Sequence, residues 1–197
     1  MKKLTISILL SIIICGVLSI ISNAHEVDAM TDKLIRIHVI ANSDSEEDQE
    51  LKLKVRDSVL EVASGMISEC SSKDEAMVVI RDNLELITSA ADIAIAQNGY
   101  EYPVSCTLSK EEFDVRVYDD FTLPAGEYDS LCIRIGTAEG KNWWCVCYPS
   151  LCFGAAVSID DCEVFTEGEL TIVKEPEKVR YKLWCFEMLR KIIKLFD

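Results

Sequence analysis

Residues 34–57, reading LIRIHVIANSDSEEDQELKLKVRD, leave this chain few ways to fold. Leu34–Ala41 is dominated by branched apolar side chains and predicts a strand. Asn42–Ser45 is turn chemistry, in which Ser45 or Ser43 can cap a following helix. Glu46, Glu47 and Asp48 then place negative charge on that helix's first turn, where the backbone dipole favours it. Leu51, Val55, Val59, Val62 and Met66 recur at helical spacing, and Leu53, Leu60 and Ile67 add a second seam. A helix apolar over so wide an arc must be covered on several sides. A strand tied by a short turn to such a helix calls for a sheet with helices packed on it.

The remaining pattern fills in that frame. Ser72-Lys73-Asp74-Glu75 is a capping box, and the helix it opens carries Met77, Ile80, Leu84, Ile87, Ala91 and Ala94 on one side. Gly99 supplies its C-terminal stop. Short β-type runs follow at Tyr102–Leu108, Asp114–Tyr118, Tyr128–Ile135, Asn142–Tyr148 and Leu170–Val173, with turns at Pro124-Ala125-Gly126 and Gly136–Gly140. Glu177–Phe196 reads as a basic amphipathic helix, with Val179, Leu183, Phe186, Leu189, Ile193 and Phe196 on its apolar side. The expectation is an α+β fold: a mostly antiparallel sheet, two N-terminal helices and a C-terminal amphipathic helix docked on the sheet. Residues 32–197 form one domain on this reading.

Ahead of that domain, Lys2 and Lys3 precede an uncharged run, Leu4–Ser22, which ends in the small residues Ser22-Asn23-Ala24. Residues 1–24 are therefore expected to be a signal peptide or an uncleaved membrane anchor, with the remainder exported. Ile14 before Cys15 argues against a lipoprotein signal. Without Lys2 and Lys3 the 20 basic residues fall to 18, against 34 acidic ones. So negative a field disfavours nucleic acid and anionic lipid as general partners. Of the nine cysteines, all but Cys15 lie beyond the apolar run. Disulfides are permitted in an exported chain, but the spacing selects no pairing.

Chemistry-bearing residues concentrate in two places. His38 sits mid-strand ahead of Asn42, Ser43 and Asp44. As a residue type it could serve a thiol nucleophile or a metal, but no ligand spacing completes a metal set, so neither metal nor cofactor is implied. Gln49, Lys52 and Arg56 fall within the apolar arc of the first helix. Long cationic side chains placed there must be paired, must reach solvent, or must face a partner. Asp48 is one turn from Lys52 and can pair with it, whereas Lys52 and Arg56 repel. In Asn142–Phe153, NWWCVCYPSLCF, strand alternation sends Trp143, Cys145 and Cys147 to one side and Trp144 and Val146 to the other. Cys145 and Cys152 could close a small loop around Pro149 or remain packed thiols. A rival reading of the same residues is an exported thiol-dependent hydrolase or transpeptidase using Cys145 and His38.

Residues 34–57, Pro124–Tyr128 (PAGEY) and Asn142–Phe153 together resemble the stage II sporulation protein R family. In three places the chain departs from that pattern. Pro149-Ser150 replaces a proline pair, and Cys147 and Cys132 stand where a large apolar residue and an arginine are more usual. The resemblance implies a protein exported from the forespore into the intermembrane space. There it would activate a membrane-embedded aspartic protease, stage II sporulation protein GA, so that pro-sigma-E is processed in the mother cell. It implies no catalysis by this chain. A contact patch for that protease is expected among His38, Asn42, Ser43, Asp44, Asp48, Gln49, Lys52, Arg56, Asn142, Trp143 and Trp144.

Overall fold

The computed structural model describes residues 27–118, 121–149 and 164–174. The expected signal or anchor segment, the C-terminal helix and Cys152 lie outside them. Among the described residues no helix is long and apolar enough to cross a membrane. The chain gathers into two compact units, one holding residues 33–112 and 127–164, the other holding residues 113–126 and the stretches before 33 and after 164.

The larger unit is an α+β structure around a mixed four-stranded sheet. Its strands are β1 (Ile35–Ile40), β2 (Val104–Phe113), β5 (Gly126–Ile135) and β6 (Asn142–Tyr148), in spatial order β2-β5-β1-β6. β1 is one of the two inner strands, and Ile35, Arg36, Ile37 and Val39 in it are wholly buried. It pairs antiparallel with β6 but parallel with β5, so the sheet is mixed where a mostly antiparallel one was expected. A parallel neighbour requires a long crossover, and three helices and three strands separate β1 from β5 in the chain.

Those helices are α1 (Glu46–Ile67), α2 (Lys73–Asp82) and α3 (Leu84–Gln97). Ser45 caps α1, its side chain accepting from Asp48 N. The stretch expected to be one helix from Ser72 to Gly99 is two, divided at Asn83. There the side-chain amide donates to Val79 O at 2.8 Å and the backbone leaves helical geometry. A short amide that bonds its own preceding turn competes with helix continuation. The predicted ends both stand: Ser72 Oγ accepts from Glu75 N, and Gly99 (φ +82°) closes α3 with its N–H on Ala96 O.

The register divides the sheet into two sides. Ile35, Ile37 and Val39 share theirs with Asp129, Leu131, Ile133, Trp143 and Cys145. That is the helix side, because Lys73 of α2 pairs with Asp129 at 2.5 Å and Arg56 of α1 lies over Trp143. Arg36 and His38 share the opposite side with Ser130, Cys132, Arg134 and Trp144.

In the smaller unit β3 (Arg116–Val117) pairs antiparallel with β4 (Thr122–Leu123), and α4 (Glu167–Lys174) packs on β4. The strand expected at Leu170–Val173 is thus helical. Thr166 and Glu169 form a capping box, with Glu169 N donating to Thr166 Oγ1 (3.3 Å) and Thr166 N to Glu169 Oε2 (2.7 Å). That T-x-x-E signal outweighs the local β-branched run.

Candidate functional site

The polar turn between β1 and α1 is a closed hydrogen-bond network. Asp48, nearly buried, accepts from Asn42 Nδ2 (2.8 Å) and Ser43 Oγ (2.5 Å). Burial pushes its carboxyl upward, but hydrogen bonds from Ser43, Asn42 and Tyr102 together outweigh this and hold it below its ordinary value. Asn42 Oδ1 accepts from Thr137 N (3.0 Å), Asp44 Oδ1 accepts from Lys141 N (2.7 Å), and Gln49 Nε2 donates to Ser43 O (2.8 Å). The turn is thereby sewn to the β5–β6 loop. Glycine is required at two points of the seam. Gly136 has φ +59° and a Cβ there would meet Asn42 Oδ1 at 2.1 Å, while one on Gly140 would meet Ser43 O at 2.2 Å.

Lys52 is buried, and its ammonium donates to Gln49 Oε1 (2.6 Å) and Lys141 O (3.0 Å). Its expected pairing with Asp48 gives way to these contacts, because the Asp48 carboxylate is already engaged by the turn. Burial lowers the Lys52 ammonium below the usual lysine range. Arg56 answers the question its position raised: it bonds the adjacent Asp57 (2.7 Å) and lies 4.8 Å over the Trp143 ring. The cation–π contact pins α1 to β6 and leaves Arg56 and Trp143 both half-exposed. Asn142, beside Trp143, is likewise half-exposed.

On the other side of the sheet His38 stacks on Trp144, ring centroids 4.6 Å apart. The two tryptophans therefore do face opposite ways, as alternation predicted. His38 Nε2 lies 2.6 Å from Glu111 Oε2, and Cys132 is its Cα partner on β5. Burial lowers the His38 pKa, Glu111 raises it and Arg134 lowers it again, for a net depression. Arg134 bridges Thr107 (3.0 Å) and Glu111 (3.4 Å). Wholly buried Arg36 lies 4.9 Å over the Tyr128 ring in the same unit.

Glu111 and Arg134 were not singled out by the sequence, and Cys132 was noted only as a departure from the family pattern, although His38 was named. A period-two signal on β2 would have put Thr107, Ser109 and Glu111 on one side, but nothing local places β2 two strands from β1.

The thiol-enzyme reading fails on register. Cys145 pairs with Ile37, not His38, and so points to the helix side while His38 points away from it. Cys145 is also disulfide-bonded, with a partner outside the described residues. The thiol that does adjoin His38, Cys132, is wholly buried and pushed up to about 12, chiefly by that burial. Such a thiol is a poor nucleophile.

The fold and its polar turn define an α+β domain whose distinctive residues brace a strand, a helix and a loop against one another, with aromatic and cationic groups left at the rim. The chain belongs to the stage II sporulation protein R family, whose sequence model matches residues 31–158. A stage II sporulation protein R of Bacillus subtilis (strain 168) is 38% identical over 122 residues, covering 62% of this chain and 54% of that protein. The match thus spans about half of that relative's length. No solved structure matches.

Proposed function

We propose that this protein is an exported sporulation signal that activates the membrane-embedded aspartic protease stage II sporulation protein GA, leading to pro-sigma-E processing. Membership of the family, through the same residues that build the β1–α1 turn and β6, is the observation that carries this reading. On this reading the chain acts from the intermembrane space, either secreted or held by its N-terminal segment, and performs no covalent chemistry.

A signal of this kind works by binding the active form of its receptor more tightly than the inactive form. Moving a receptor from about 1:99 to 99:1 in favour of the active form takes roughly 5.5 kcal/mol of differential affinity. Arg56 and Trp143 are the best-suited contributors among the expected contact residues, being half-exposed, adjacent and of the types that dominate binding energy. Asn142 precedes Trp143 in β6. Asp48 and Lys52 are buried and act through the shape of the turn.

The test is co-expression with the protease and its pro-sigma substrate in a non-sporulating host, scoring processing by immunoblot. Processing should require this protein, and Arg56→Ala or Trp143→Ala should reduce it at least tenfold while the secreted protein remains folded. Equal processing with and without this chain would refute the proposal.

A further inference from the structure

We propose that His38, Glu111 and Cys132 form a binding site for a thiophilic divalent cation of the zinc class. The inference stands apart from the signalling role and rests on three strands. β1, β5 and β2 each send one side chain to the same side of the sheet, and the imidazole nitrogen, carboxylate oxygen and thiol sulfur all lie within 4.8 Å of one another. His38 and Cys132 are cross-strand partners in the parallel β1–β5 ladder, which fixes their side chains side by side. Glu111 is brought in from the far edge of β5 and already touches His38.

The donor set selects the ion. One nitrogen, one sulfur and one oxygen ligand suit zinc and its softer neighbours, whereas magnesium and calcium demand oxygen shells. A thiolate and a carboxylate together balance a dication, so the loaded set of ion and ligands is neutral. Supporting groups are in place around the ligands. Trp144 stacks on the His38 ring and fixes its plane, and Arg134 bonds both Glu111 and Thr107. Arg134 is half-exposed and keeps its Thr107 contact if Glu111 turns toward a metal. Strands hold ligands more rigidly than loops do, which favours a preformed site. Two of the three ligands are almost fully enclosed, with His38 at 5% and Cys132 at 0% exposure, so a bound ion would be shielded and slow to leave.

The experiment uses the full-length chain with its disulfide intact, stripped by a chelator and titrated with Co²⁺ and then Zn²⁺. One equivalent of cobalt should give the visible bands of a four-coordinate ion and a near-ultraviolet thiolate-to-cobalt charge-transfer band, both abolished by one equivalent of zinc. Cys132→Ser should remove the charge-transfer band and weaken zinc by more than the roughly 100-fold that outer-shell changes reach. Cys106→Ser, on the neighbouring strand, should leave both intact. Absence of a cobalt spectrum at stoichiometric metal would overturn the proposal, as would a charge-transfer band that survives Cys132→Ser. If Cys132→Ser does not fold, zinc X-ray absorption on the unaltered protein decides. A shell of one sulfur with nitrogen and oxygen sustains the site, and a shell of two sulfurs or of oxygen alone refutes it.

Discussion

Replacing Asp48 by alanine should destabilise this protein far more than its place in a surface turn suggests. Besides its Tyr102 contact, the carboxylate accepts side-chain hydrogen bonds from Asn42 and Ser43, at 2.8 and 2.5 Å. Hydrogen bonds to a charged group contribute about 1.5–3 kcal/mol each. Asn42 and Ser43 are half-exposed and can recover part of this by turning to water, which leaves a net loss of about 3 kcal/mol. With a urea m-value of about 2 kcal/mol/M, the unfolding midpoint should fall by about 1.5 M. Asp44→Ala is the matched control, since exposed Asp44 accepts only from Lys141 N among the contacts described here, and should cost about 1 kcal/mol. The difference must also depend on pH in one direction. Because folding depresses the Asp48 pKa below 3.8, its stabilisation is complete well above that value and is lost as pH falls through the folded-state pKa. Wild type and Asp48→Ala should therefore converge in acid. A loss below about 1 kcal/mol at neutral pH, or a gap that does not close in acid, would refute the claim that this turn is braced through Asp48.

Other outcomes follow from the same geometry. Gly136→Ala should cost about 2–3 kcal/mol, from a left-handed backbone with a Cβ and from displacing Asn42 off Thr137 N, measurable as a lowered unfolding midpoint. Cys132 and Cys147, both buried and pushed up to about 12, should be about one part in ten thousand thiolate at pH 8. Half-buried Cys70 and Cys106 should therefore be alkylated well before them in the native protein, as peptide mass mapping would show.

Local chemistry made much of this fold readable. The β1 strand, the Ser72 box and the Gly99 stop are all decided by residues within a few positions of each other, and each stands where the sequence placed it, while of the two serines offered as a cap Ser45 takes the role. What failed were competitions between local signals. At Asn83 a side-chain amide beat helix propensity, and at Thr166–Glu169 a cap beat a β-branched run. The opposing orientation of Trp143 and Trp144 needed only the period of a strand. The cluster of His38, Glu111 and Cys132 needed the strand order, which no local pattern encodes. Gln49 and Lys52 looked like contact residues because polar side chains in an apolar arc demand partners. The structure supplies those partners from within, chiefly through the main chain at Ser43 and Lys141.

The placement of β1 between two latecomers has a consequence for how the molecule is made. A polypeptide synthesised from its N-terminus displays Ile35–Ile40 long before Gly126–Ile135 and Asn142–Tyr148 exist to flank it. Folding therefore waits on distant segments, which slows the search and leaves an oily, unzipped ribbon open to other chains. For such a protein, yield should depend on how quickly the last third of the chain catches up with the first.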